Sequence, residues 1–170
     1  ARHVATRGTV DIAPALERML ADDCRLLVLN GGDGTAQKVL TELLGRRPAG
    51  DLPALALLPG GTTNMTARSI NGRALSFRRA LAALRARVTP AGAAPDAVIE
   101  RRALLVEPSS GTRLAGFFWG MGAILRGIEY CQQTVYGTGV GGEQASGIAL
   151  LRTVVGIARR QPPFSGGVTV

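Results

Sequence analysis

The sequence has little of several residue types that mark common classes of protein. It contains 2 cysteines and 1 histidine, and aromatic side chains make up 4% of its 170 residues. Two distant cysteines, Cys24 and Cys131, do not form a disulfide framework, so we expect reduced, buried thiols in a cytosolic protein. No apolar run approaches the roughly eighteen residues that a spanning helix needs, and no signal peptide is recognisable. We therefore expect a cytoplasmic protein without a spanning helix.

Acidic residues are also few. Lys and Arg outnumber Asp and Glu by 20 to 12, which gives a net charge of +8. This excess favours an anionic partner, and nucleic acid, a phosphorylated nucleotide and the anionic inner leaflet of a membrane all qualify. Because the arginine pairs are spread out and not interleaved with aromatic residues, we predict no nucleic-acid interface. A nucleotide and peripheral membrane contact remain, and the oligomeric state is left open.

Apolar runs alternate with helical patterns in the first half of the chain. Residues 26–29 and 55–58 predict two strands buried on both faces, each followed by a glycine-rich loop and a helix. A helix capped by Asp11 precedes the first strand, the helix after the first loop should end at Gly45, and a further helix spans residues 76–87. Alternating strands and helices predict an α/β domain with a doubly wound parallel sheet.

The pattern changes after the stretch of Pro, Ala and Gly at residues 90–95. Residues 98–107 and 113–119 predict the two strands of a hairpin, which is typical of an antiparallel sheet. We therefore predict two domains, an α/β nucleotide-binding domain over residues 1–92 and part of a β-rich domain over residues 93–170. The remaining predicted elements are helices at 124–131 and 148–158, with a glycine-rich loop at 137–142 between them.

The loop after the first strand meets the requirements of a phosphate-binding loop. Its residues are Asn30, Gly31, Gly32, Asp33, Gly34 and Thr35. Its glycines permit close approach to backbone N–H groups, and the following helix supplies a dipole. Asp33 is unexpected, because a carboxylate repels phosphate unless a magnesium ion or a hydroxyl group intervenes. The alternative is a glycine turn in which Asp33 only caps the helix.

A second loop leaves the next predicted strand, at the end where open parallel sheets bind ligands. Its residues are Pro59, Gly60, Gly61, Thr62, Thr63 and Asn64. The glycines free the backbone, while the threonine and asparagine side chains offer neutral donors and acceptors to phosphate, ribose or water. Two such loops on successive strand ends point to a nucleotide site more specifically than either loop does alone.

Together the two loops resemble the motifs of the diacylglycerol kinase catalytic domain, a family that includes sphingosine, ceramide and bacterial lipid kinases. Residues 30–35 look like its Gly-Gly-Asp-Gly-Thr motif, and residues 59–64 with Ala67 and Arg68 look like its Pro-x-Gly-Thr-x-Asn-x-x-Ala-Arg motif. Residues 117–122 resemble the strand and glycine turn that open the family's second domain. NAD kinases and phosphofructokinases share the first signature, but not the second in this form.

This resemblance implies a two-domain enzyme of phospholipid biosynthesis that transfers the γ-phosphoryl group of ATP, with Mg²⁺, to a hydroxyl of diacylglycerol or a similar lipid. The second domain would hold the lipid substrate. Asp33 would act near the transferred group. The residues implied in nucleotide binding are Asn30, Gly31, Gly32, Gly34, Thr35, Gly60, Gly61, Thr62 and Asn64.

Two positions depart from the family pattern. Lys38 stands where the family commonly has glutamate, and Met65 stands where it commonly has aspartate. Lys38 fits a phosphate ligand, a domain that has lost catalysis, or a solvated lysine. We also expect the family's opening strand before Ala1 and its acidic motif, with the general base, after Val170, so the fragment alone need not be active. Two alternatives stay open, a catalytically degenerate nucleotide- or lipid-binding module and a soluble-substrate kinase of the NAD kinase type.

Overall fold

A computed structural model gives the architecture of the chain. It describes residues 2–21, 23–89, 92–93, 98–109, 111, 113–119, 155 and 159. The chain divides into two compact units, Ala1–Phe118 and Trp119–Val170, and everything below concerns the first. Apart from Val155, the helices and loop predicted beyond residue 123 lie outside the described residues. The predicted domain boundary between residues 92 and 93 stays a prediction.

Helices and strands alternate through the first unit, as the sequence predicts. In chain order they are α1 (Ile12–Leu20), β1 (Leu26–Gly31), α2 (Asp33–Arg46), β2 (Ala54–Pro59), α3 (Met65–Asn71), α4 (Phe77–Arg85), β3 (Val88–Thr89), β4 (Gly92–Ala93), β5 (Leu104–Val106) and β6 (Leu114–Gly116). Short 3-10 turns at Thr9–Asp11 and Ala49–Asp51 precede α1 and β2.

The strands β1 and β2 form a parallel pair. Their register runs from Leu26 opposite Ala54 to Gly31 opposite Pro59. Because parallel strands end at the same edge of a sheet, the loops that follow them leave side by side. The predicted α/β class is confirmed by this pair, whereas the doubly wound sheet stays a prediction.

The core lies on one face of this pair. Side chains from α1, β1 and α2 pack together there, and Leu43 at its centre is fully buried. The members of this cluster are Ile12, Leu16, Leu20, Leu27, Val39 and Leu43. Val28, which points away from Leu27, is 42% exposed. The prediction that β1 is buried on both faces is therefore wrong, because an apolar run does not say which faces other elements cover.

The predicted helix boundaries are close but not identical. Asp11 stands at the N-cap position of α1 as predicted, but its side chain makes no hydrogen bond to that helix, and Ser76 stands at the N-cap position of α4, likewise without a side-chain bond to its helix. Gly45 does not stop α2, which continues to Arg46 and closes with the N–H of Arg47 donating to the carbonyl of Leu43 at 2.9 Å. Glycine costs stability inside a helix but does not break it, since its N–H remains available.

The predicted hairpin forms, but its strands are shorter than the predicted ranges 98–107 and 113–119, and it packs against α2. Strands β5 and β6 are antiparallel, with Leu105 opposite Ala115. The hydroxyl group of Thr41 on α2 accepts the backbone N–H of Ala115 at 3.0 Å, and Ala115 is almost fully buried. The hairpin is therefore fixed to the helix that follows the first loop. A second antiparallel pair, β3 with β4, joins Val88 to Ala93.

An ion-pair ladder runs along α2. The ammonium group of Lys38 lies 2.8 Å from Oε1 of Glu42, and the guanidinium of Arg46 pairs with Oε2 of the same carboxylate. Hydrogen bonds from Lys38 and then Arg46 lower the pKa of Glu42 below its ordinary value. The charge of Lys38 is thus paired within its own helix.

The ladder predicts a pH-dependent contribution to stability. A lowered folded-state pKa means that the ionised Glu42 stabilises the fold at neutral pH, and that this contribution is lost as the pH falls through the folded-state pKa. Glu42→Gln should lower the free energy of unfolding at pH 7 by roughly 0.5–1 kcal/mol, the value of two exposed i,i+4 pairs. Denaturant unfolding of both proteins at pH 7 and near pH 3 measures it. The difference should vanish at low pH, and the exposed Glu17→Gln on α1 serves as the control.

Candidate active site

The loops after β1 and β2 meet at one edge of the parallel pair. We call residues 30–35 the first loop and residues 59–64 the second loop. The N–H of Gly60 in the second loop donates to the carbonyl of Gly31 in the first at 3.2 Å. The backbone pairing of the sheet therefore continues into the loops and holds them in contact.

Three loop glycines are required by this contact. A Cβ on Gly61 would overlap the Cα of Gly32, and a Cβ on Gly60 would overlap Oδ1 of Asn30 and lie 2.9 Å from the nitrogen of Gly31. In the other direction, a Cβ on Gly32 would lie 3.1 Å from the Cα of Gly61. The neighbouring atoms are mostly backbone, which cannot move aside cheaply. These glycines therefore serve loop packing, whatever ligand binds.

The remaining two glycines of the first loop differ from each other. A Cβ on Gly31 would lie 2.7 Å from the Cβ of Thr35, so the threonine side chain covers that position. Around Gly34 nothing lies within 4 Å of an added Cβ. Packing against the residues that the structure describes does not explain the glycine at position 34, and the space beside it is open at the first turn of α2.

Asn64 closes the second loop on itself. Its backbone is left-handed, with φ 51° and ψ 38°, a conformation that asparagine tolerates better than most residues. Its Oδ1 accepts the N–H of Gly61 at 2.8 Å, and its Nδ2 donates to the carbonyl of Gly61 at 2.6 Å. The side-chain amide of Asn64, which the sequence predicts to contact nucleotide, thus makes hydrogen bonds that hold the second loop in shape.

Asp33 connects the first loop to the helix that follows the second. Its Oδ2 accepts the backbone N–H of Met65 at 2.9 Å, and its Oδ1 accepts that of Thr66 at 2.7 Å. These are the first two amides of α3, which lies 32 or more residues further along the chain. Asp33 does not cap its own helix, which was the alternative considered from sequence. Its predicted role near the transferred group stays a prediction.

The sequence does not indicate that Met65 and Thr66 are the partners of Asp33. The side chain of Met65 is 50% exposed, whereas Thr66 is buried at 4%. Only their backbone N–H groups contact the carboxylate, and a backbone donor leaves no signature in residue type. No motif search could have found this contact.

A metal site built from protein side chains does not fit the described residues. Within residues 2–119 as described, no three side chains of His, Cys, Asp or Glu come close enough to hold a metal ion. The carboxylate beside the cavity between the loops is that of Asp33, and both of its oxygens accept backbone N–H groups. The predicted Mg²⁺ therefore stays a prediction, as a part of the nucleotide substrate.

A large groove of the first unit lies elsewhere. It has a volume of about 1860 Å³ and is lined by parts of α2, β2 and α4 and by residues that include Val98, Arg101, Leu105 and Ala115, but by neither loop. The narrow cavity between the loops is lined instead by residues that include Gly31, Asp33, Thr35 and Asn64. The volume of a groove therefore does not identify the two loops as the candidate site. In the part of the chain that the structure describes, no helix is long and apolar enough to span a membrane.

Comparison with known protein families gives the family of the chain. The sequence model of the diacylglycerol kinase catalytic domain matches residues 2–94, which is more than half of the 170-residue chain. The chain belongs to the diacylglycerol kinase catalytic domain family. The resemblance seen in the two loops is confirmed, and the family points to a kinase-type phosphotransferase. Neither a curated protein nor a solved structure matches the chain.

In this diacylglycerol kinase family domain, the close contact between the loops means that one added methyl group should lower the stability considerably. Gly61→Ala should lower the free energy of unfolding of the ligand-free protein by about 1–3 kcal/mol, the usual cost of overpacking. The backbone at Gly61 is outside the left-handed region, so the collision with Gly32 is the cause. Denaturant unfolding measures the change.

Gly50→Ala is the matched control, because nothing lies within 4 Å of its added Cβ. It should leave stability unchanged or slightly raised. If Gly61→Ala unfolds like the wild type and only nucleotide binding suffers, then Gly61 makes room for ligand and not for Gly32.

Proposed function

We propose that this domain is the nucleotide-binding part of an ATP-dependent lipid kinase, which transfers the γ-phosphoryl group to a hydroxyl of diacylglycerol or a similar lipid. Membership of the family supports a kinase-type catalytic domain. The two loops at one sheet edge support the nucleotide site, because ligands of open parallel sheets bind at the carboxyl ends of the strands.

The observation that carries the proposal is the open first turn of α2. Its helical hydrogen bonds begin with Ala36 N–H donating to the carbonyl of Gly32 at 3.1 Å. The amides of Gly34 and Thr35 precede that bond and lie at the positive end of a 14-residue helix, where phosphate binds favourably. The free space at Gly34 lets a phosphate group approach them.

The remaining predicted residues divide by role. Gly34 and Thr35 offer backbone and hydroxyl donors directly, with Thr62 in the second loop. The others hold the loops together: Asn30, Gly31, Gly32, Gly60, Gly61 and Asn64. Phosphoryl transfer depends mainly on positioning and charge neutralisation, and this arrangement of backbone donors suits that requirement. ATP would enter as its Mg²⁺ complex.

The acceptor lipid would be met at a membrane. The net charge of +8 and the exposed arginines of α4, Arg78 and Arg79, favour contact with the anionic inner leaflet. We therefore propose a cytoplasmic protein that binds this surface peripherally. Co-sedimentation with anionic vesicles, but not with neutral ones, is the expected behaviour.

Gly34→Ala tests the nucleotide site with little risk to the fold. The added methyl group meets no protein atom, so stability should not fall, but it would occupy the space proposed for phosphate. We expect at least tenfold weaker ATP binding, measured by isothermal titration calorimetry. Gly45→Ala is the matched control, since it adds a methyl group in equally open space near the other end of α2 and should bind ATP normally.

Transfer itself is measured with labelled ATP and lipid in mixed micelles, using the full-length gene product. Phosphorylation of diacylglycerol, sphingosine, ceramide or monoacylglycerol is the expected result, with Gly34→Ala much slower. Phosphorylation of NAD without any dependence on detergent would favour the soluble-substrate kinase instead. ATP binding without transfer to any of these acceptors would favour the non-catalytic module, and either outcome overturns the proposal.

A further inference from the structure

Asp33 belongs to the first loop by sequence, but its carboxylate contacts α3, the helix that follows the second loop. Its two carboxylate oxygens accept the N–H groups of Met65 and Thr66, at 2.9 and 2.7 Å. Both bonds are charge-assisted, and a carboxylate at the start of a helix also interacts favourably with the helix dipole. The carboxylate therefore caps α3 from a distant position in the chain.

No local residue takes this role. The N-cap position of α3 is Asn64, whose left-handed backbone and bonds to Gly61 leave no side-chain bond to the helix. With 7 residues, α3 is too short to be stable without tertiary support. Because Thr66 is buried at 4%, water cannot easily replace the carboxylate at its N–H, and a buried N–H without an acceptor costs stability.

We propose that Asp33 is a positioning residue, which sets the second loop and α3 against the first loop so that both loops face one nucleotide. This inference rests on the proposed nucleotide site, but it assigns Asp33 a role different from acting on the transferred group. The backbone contact between Gly32 and Gly61 brings the loops together, and the Asp33 bonds fix the direction in which α3 leaves them.

This role also accounts for an acidic residue inside a phosphate loop. Two N–H groups and the positive end of α3 surround the Asp33 carboxylate and offset part of its charge. The same charge occupies the start of α3, so phosphate is directed to the start of α2, where Gly34 leaves space. Of the two helices that begin at the loops, only α2 then offers its first amides to the nucleotide.

Amide hydrogen exchange tests the positioning contact directly. In ligand-free protein, Asp33→Ala should speed the exchange of the Met65 and Thr66 amides by about fivefold or more, the effect of losing a capping carboxylate. Asp33→Asn keeps one acceptor oxygen and should give a smaller change, and it replaces the alanine variant if that protein does not fold. Unchanged exchange at both amides in both variants would overturn the inference.

Asp11→Ala is the matched control. The Asp11 carboxylate also accepts two backbone N–H groups, from Arg7 at 2.8 Å and Gly8 at 3.3 Å, but it lies at the start of α1. Its loss should leave exchange at Met65 and Thr66, and ATP binding, unchanged. A matching change in both variants would mean that losing any carboxylate bonded to backbone N–H groups loosens the domain, and the specific role of Asp33 would be rejected.

Measurements of ATP affinity and kcat distinguish a positioning role of Asp33 from direct participation in the reaction. A positioning role predicts that ATP affinity and kcat fall together in Asp33→Ala, with partial recovery in Asp33→Asn. If Asp33→Asn abolishes transfer while ATP affinity and exchange at the two amides stay at wild-type values, Asp33 acts on the reaction itself and the inference is wrong. The exchange and affinity measurements do not require catalysis, so a wild type that transfers no phosphate would refute the proposed kinase activity without deciding the role of Asp33.

Discussion

The contact between Gly32 and Gly61 is the constraint on which the candidate site depends. It follows from the parallel pairing of β1 with β2, which ends with Gly31 opposite Pro59, and from the hydrogen bond between Gly60 and Gly31. Loops at neighbouring strand ends must diverge if their side chains collide. With glycine on both sides they remain in backbone contact, and the N-termini of α2 and α3 are brought to the same edge of the sheet.

Two side chains add hydrogen bonds to the contact that the glycines allow. Asn64 fixes the second loop internally through its two bonds to Gly61, and Asp33 fixes α3 against the first loop. Neither contact requires a ligand. A nucleotide would therefore meet a site whose backbone donors are already oriented, and less of the binding free energy would be used to order the loops.

The sequence predicts the elements of this site better than their contacts. Periodicity and turn residues locate α1, β1 and β2, because hydrophobic spacing reports local backbone geometry. A glycine, however, does not reveal whether its missing side chain leaves open space, as at Gly34, or makes room for another glycine, as at Gly61. The exposure of Val28 was missed for a related reason, since the covering of a strand face depends on elements far along the chain.

Long-range backbone contacts are the least predictable part of the site. Asp33 is recognisable in the motif, but its acceptor role involves two amides whose side chains are irrelevant to the bond. The sequence could only leave open whether Asp33 caps its own helix or acts on a ligand. The structure supplies a third arrangement, in which Asp33 caps the helix of the other loop.

The same distinction between side chain and backbone bears on the two departures from the family pattern. Met65 contributes its N–H to Asp33, which any residue but proline provides, while its side chain is half exposed. Lys38 pairs with Glu42 along α2 and makes no bond to either loop among those described. Neither side chain takes part in the described contacts that hold the loops together. The contact between the loops, on which the proposed nucleotide site depends, therefore does not rely on the side chain at either position.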